Sequence, residues 1–134
     1  MTFTEGELDY LRSQTLARIA TVDPEGQPDN AAVGFRVEPD GTILVGGMRN
    51  VRTRKWRNVD AGADRVALVV DDLVSTRPWR PRGIRIYGTA ELVHTEGQFG
   101  PGAYVRITPT ISWSWGIEPQ EEGGFRPHRT VHRT

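Results

Sequence analysis

The chain has no cysteine. That excludes disulfides, thiolate metal sites and a cysteine nucleophile. It has a single lysine, Lys55, so nearly all of its 17 cations are arginines, a bias that reads first as the mark of a GC-rich genome. Its longest strictly aliphatic run is Val66-Ala67-Leu68-Val69-Val70, far short of the roughly 20 residues a membrane helix needs. Net charge is zero, which argues against whole-molecule attraction to nucleic acid. The acidic start lacks an apolar stretch, so no signal peptide is expected and a cytoplasmic location is. No serine sits in a Gly-x-Ser-x-Gly elbow, and neither a phosphate loop nor a Gly-x-Gly-x-x-Gly pattern occurs. Of the three histidines, His128 and His132 share a spacing of four, but no third ligand lies near them; they read as part of a solvated tail, and no metal site is expected. The catalytic residue is therefore unknown, and an enzyme built on this chain borrows its reactive group from a cofactor.

What is present suits one folded domain: 134 residues, 37% hydrophobic and 25% charged. Thr4 and Glu7 have the spacing of a capping box, with Phe3 and Leu8 as its hydrophobic staple, predicting a helix that ends near Ser13. Strands are expected over Leu16–Val22, Asn30–Val37 and Thr42–Gly47, separated by the turns Asp23-Pro-Glu-Gly26 and Glu38-Pro-Asp-Gly41. Residues 51–61 read as a basic helix, placing Arg52, Lys55 and Val59 on one face. Asp64–Asp71 is an apolar strand, 72–81 a proline-containing loop, and Gly83–His94 a long strand. A break at Gly97–Gly102 precedes the last strand, Ala103–Trp115, in which Pro109 marks a bulge or an edge. Residues 118–134 read as a polar, mobile tail behind a barrel domain of residues 1–117. About six strands with short antiparallel links predict a closed or nearly closed barrel, mainly β with a few short helices.

Charge is concentrated in two places. Residues 49–57 hold five cations and no acid, and residues 77–85 hold Arg77, Arg80, Arg82 and Arg85. The first run follows Gly46-Gly47, where missing side chains let a ligand approach the backbone. With the Thr53 hydroxyl it suits a phosphate or carboxylate; a solvated basic helix has the same pattern. In the second run Trp79 stands between arginines in a Pro-flanked loop, able to stack on a flat ring or to pack over the barrel end. Trp113 and Trp115 point to one sheet face, in the core or at a subunit interface.

The pieces in order resemble the pyridoxamine 5′-phosphate oxidase-like split β-barrel family in its deazaflavin-dependent branch. They are Ala17-Arg-Ile-Ala-Thr-Val-Asp-Pro-Glu-Gly-Gln-Pro28, Thr53-Arg-Lys-Trp-Arg-Asn-Val59, Asp64–Asp72, Pro78-Trp-Arg-Pro-Arg-Gly-Ile84, Tyr87-Gly-Thr-Ala-Glu-Leu92, Phe99-Gly-Pro101, Arg106-Ile-Thr-Pro109 and Ser114-Trp-Gly116. Their detailed forms resemble an actinobacterial subgroup that includes a reductase of tetracycline-type biosynthesis. The resemblance implies a six-stranded antiparallel split barrel and a homodimer with cofactor at the subunit interface. It implies coenzyme F420, with FMN as the alternative, bound by Gly47, Met48, Arg52, Thr53, Lys55, Trp79 and Arg80. The phosphate would lie at Thr53 and Lys55 and the ring along the second and third strands. The activity implied is hydride transfer to a small conjugated acceptor; a non-catalytic cofactor carrier and a nucleic-acid-binding barrel are the readings from another class.

Overall fold

The computed structural model describes residues 2–46, 50–119 and 126–133. Helix α1, Glu5–Ser13, begins as the sequence predicts: the Glu7 amide donates to Thr4 Oγ1 at 3.0 Å and the Thr4 amide donates to Glu7 Oε1 at 3.0 Å. Phe3 and Leu8, the staple pair, are both in the core. Thr4 also contacts the Glu118 carboxylate. Thr4→Ala should cost about 1 kcal/mol, the usual loss for an N-cap, and lower Tm by roughly 3–5 °C at this chain length. Calorimetry checks it.

Strands β1, Leu16–Val22, β2, Pro28–Val37, and β3, Ile43–Gly46, form the expected meander. The next link is not a hairpin. After a 3-10 turn at Asn50–Arg52, helix α2, Arg54–Asp60, carries the chain across to the other side of β1, where β4, Arg65–Thr76, pairs with it. Long β5, Trp79–Gly97, and β6, Gly100–Trp115, complete the wall, and pairing of β3 with β6 closes six antiparallel strands into a barrel. Alternation fills its interior: Ile19 on β1, Phe35 on β2, Val45 on β3, Leu68 on β4, Ile86 on β5 and Ile107 on β6 are all core residues.

Three expectations change. Residues 72–81 are a hairpin, not a loop: Leu73 pairs with Pro81 and Thr76 with Trp79. A register shift between Leu73 and Ser75 leaves Val74 over and admits the proline, which has no N–H to offer. The break at Gly97–Gly102 shrinks to a two-residue turn, Gln98-Phe99, because Gly97 and Gly100 already pair and Gly100 has φ +87°. Residues 118–134 are not simply a mobile tail, since β7, His128–Val131, pairs along β6 from Ile111 to Ser114. Polar composition hid it: three of the four residues of β7 are exposed. Pro109 does mark a bulge, opposite Gly88 where the β5–β6 register shifts.

Candidate functional site

Helix α2 is held at the mouth of β3 by polar side chains. Thr53 is its N-cap, accepting from the Trp56 amide at 3.3 Å and donating to the Asn50 carbonyl at 2.7 Å. Asn50, buried, donates to the carbonyls of Val45 at 3.3 Å and Ala103 at 3.0 Å, while its Oδ1 has no partner among the described residues. Asn58 donates to Thr21 Oγ1 at 2.9 Å. These bonds tie the basic segment to β1, β3 and β6.

Lys55 lies on the inner face of α2 and is only 7% exposed. Among the described residues its ammonium makes no hydrogen bond and no ion pair. Burial pushes its pKa below the ordinary lysine value, and the carboxylate of Asp29 partly restores it. Val59 is buried with it, but Arg52 is exposed in the preceding turn, so these three residues do not share a face. The helix starts only at Arg54, which puts Arg52 outside its period.

Gly46 does not open the backbone to a ligand. The ring of Tyr104 fills the place where its side chain would be. Gly47 and Met48, with Arg49, lie outside the described residues.

Beside α2, a cleft of about 530 Å³ separates the helix from the β1–β2 turn. Arg54, Arg57 and Asn58 line the helix side, and Asp23, Gln27, Pro28 and Asp29 line the turn. Asp23 is committed to the turn, accepting from the Glu25 and Gln27 amides at 2.9 Å each. Neither arginine has an ion-pair partner among the described residues. Sequence reasoning missed this cleft; the i, i+3 spacing of Arg54 and Arg57 was its only signal.

Trp79 and Arg80 sit elsewhere. They begin β5 at the tip of the β4–β5 hairpin, and Trp79 is 68% exposed. Helix α2 meets β5 near its other end, where Trp56 approaches His94 edge-on at 6.2 Å. From residue 79 to residue 94 is about 50 Å along a strand at roughly 3.3 Å per residue. Among the described residues no hydrogen bond, ion pair or ring contact joins Trp79 or Arg80 to Thr53 or Lys55.

The outer face of the wall is the third feature. Successive registers align Ala32, Arg18, Val69, Arg85, Trp113 and Arg129 across six strands. Arg85 lies 4.5 Å from the Trp113 ring and 5.7 Å from that of Tyr87, with no carboxylate partner among the described residues. Trp113 and Trp115 are half-buried on this face while Ser112 and Ser114 point inward, so the tryptophans are not core. Asp72 is engaged at the hairpin: Arg82 donates to its two oxygens at 2.7 and 3.1 Å, and Tyr10 donates to it at 2.8 Å. The arginine holds the Asp72 carboxyl below the usual range, and burial pushes the Tyr10 phenol up. This trio serves to pin α1 to the wall.

Small antiparallel barrels with a basic helix at one mouth and a flat outer face are the class that fold and site define. The chain matches the pyridoxamine 5′-phosphate oxidase family over residues 3–122 and belongs to it. It is 42% identical over 123 residues, 88% of this chain and 86% of the relative, to the 5a,11a-dehydrotetracycline/5a,11a-dehydrooxytetracycline reductase of Streptomyces rimosus subsp. rimosus. Among solved structures, it is similar to a conserved hypothetical protein of Mycobacterium tuberculosis, with TM-score 0.67 and 24% identity, covering 91% of this chain and 93% of that one. It is also similar to an F420 reductase, with TM-score 0.64 and 22% identity, covering 82% and 98%. These two likenesses are of fold.

Proposed function

We propose that the chain is a reductase that uses a reduced deazaflavin, coenzyme F420, to reduce a small conjugated organic acceptor, with FMN as the alternative cofactor. That it is an oxidoreductase follows from its relation to the Streptomyces reductase. The bound cofactor supplies the hydride; the protein supplies binding, orientation and exclusion of water.

The observation that carries the site is Lys55. A nearly buried ammonium with no hydrogen bond is costly unless an anion completes it. A cofactor phosphate is such an anion. Thr53 spends its proton on the Asn50 carbonyl, so its side chain meets a phosphate only by giving up that bond. Arg52, exposed beside it, is free to turn toward one. Substrate would lie within near-attack reach of the ring, about 3–3.5 Å.

The separation of Trp79 and Arg80 from Lys55 favours a homodimer in which each site takes Lys55 from one subunit and Trp79 from the other. The outer face, with Tyr87 46% exposed and Trp113 and Trp115 beside it, suits an isologous contact. The test uses Lys55→Ala and Trp79→Ala, each expected to be nearly inactive in turnover of conjugated acceptors by reduced F420. Mixed after dissociation, the two should recover about a quarter of wild-type activity, because half the dimers are mixed and each has one intact site. Turnover with NADPH alone would sink the mechanism, and no recovery on mixing would sink the shared site.

A further inference from the structure

The β6 strand is sixteen residues long and β3 only four. Since β5 runs along the whole of one edge of β6, both β3 and β7 must lie on its other edge. There β3 covers Val105 to Ile107 and β7 covers Ile111 to Ser114. Without β7 the second stretch would be an open strand edge carrying Trp113, the kind of edge that pairs with other chains. Pairing of four residues is weak by itself, and His128, Arg129 and Val131 are exposed.

What anchors β7 is the residue after it. The His132 amide donates to the Thr110 carbonyl at 2.9 Å, extending the ladder. Its ring bridges the two ends of the chain: Nδ1 is 2.6 Å from Thr2 Oγ1, and Nε2 is 2.7 Å from Ser112 Oγ. The ring meets Phe3 edge-on at 4.4 Å, and Phe3 is the staple residue of α1. Ser112 is fully buried. Thus one imidazole holds β7 against both β6 and the entry to α1.

We propose that residues 128–132 form an acid-released strap, closed by the His132 ring wedged between Thr2 and Ser112, whose release uncovers the β6 edge from Ile111 to Ser114. The charged groups bearing on the ring are few. Glu7, on α1, is fully buried and favours the imidazolium, and the amino-terminal charge opposes it. Burial, the largest influence, acts with the amino-terminal charge to outweigh Glu7 and depress the ring's pKa. Thr110, Ser112 and Thr2 bring no charge. On β7 itself His128 and Arg129 point to solvent. A ring that binds its proton more readily when the strap is open must favour opening as pH falls through the ordinary histidine value, about 6.5.

Hydrogen exchange on the whole protein at pH 7.5 and pH 5.5, corrected for intrinsic rates, reads the strap directly. Protection of residues 128–131 should fall by up to about tenfold at pH 5.5, the limit set by a free imidazole one unit below its pKa. Amides of β1 and β4 should hold their protection, which separates strap release from global unfolding. His132→Gln should abolish the pH response, and His128→Gln should keep it. Equal wild-type protection at both pH values overturns the proposal, as does a response that survives in His132→Gln.

Discussion

Gly46→Ala and Gly97→Ala should each destabilise the protein by about 3 kcal/mol, the upper part of the range for overpacking a core. Both glycines give their side-chain space to one ring. Tyr104 on β6 lies between Gly46 on β3 and Gly97 at the end of β5, and a methyl group at either would overlap it. The ring cannot move aside, because it is 2% exposed and its hydroxyl is held at both ends: it donates to the Gly100 carbonyl at 2.6 Å and accepts from the Phe99 amide at 3.1 Å. Tyr104→Phe should cost less, about 1–2 kcal/mol for the lost hydrogen bonds. Gly102→Ala is the control, since a methyl there meets nothing within 4 Å, and should stay within about 0.5 kcal/mol. Urea denaturation measures all four. If Gly46→Ala unfolds like wild type, the ring yields more easily than its bonds imply, and a ligand could share that space.

The parts of the fold that were legible in the sequence are those fixed by local chemistry. The capping box of α1, the turns with glycine at positive φ (Gly26 and Gly41), and the alternation of β1 and β2 each depend on residues within a few positions. The parts that were not legible depend on a distant partner. Gly46 reads as an opening only until Tyr104, far along the chain, is placed against it. Pro78 and Pro81 signal a loop because nothing local shows that Pro78 falls in the two-residue turn of a hairpin and that the Leu73/Ser75 irregularity absorbs Pro81. His132 looks like tail sequence because Thr2 and Ser112, its partners, are remote. The site follows the same division. Its basic run was visible, and the hidden fact was orientation: α2 turns Lys55 inward and Arg54 and Arg57 outward to the cleft. Trp79 and Lys55 were named together through resemblance, and only the length of β5 separates them within one chain.

Lys55→Met should strengthen the fold and weaken the site at once. Methionine nearly matches the lysine stem in volume and carries no charge to desolvate, so the variant should resist urea better than wild type at pH 7. The gain has a pH signature. The folded-state pKa of Lys55 lies below its unfolded value. The unfolded chain therefore binds more protons between the two, and the penalty is full below the folded pKa and fades as pH rises through it toward the unfolded value, about 10.4. The stability difference between variant and wild type should shrink over that alkaline window, as denaturation at pH 7 and pH 10 will show. Cofactor affinity should move the other way. Losing a charged hydrogen bond to the phosphate should cost roughly 1.5–3 kcal/mol, about 10- to 150-fold in Kd. Fluorescence titration with F420 and with FMN measures it and shows which cofactor depends on Lys55. A folded variant with unchanged affinity for both would remove Lys55 from the site and leave its burial as structure alone. A stable variant that has lost the cofactor would assign the cost of burying this lysine to binding, because among the described residues its ammonium has no hydrogen bond or ion pair and the Asp29 carboxylate offsets its burial only in part.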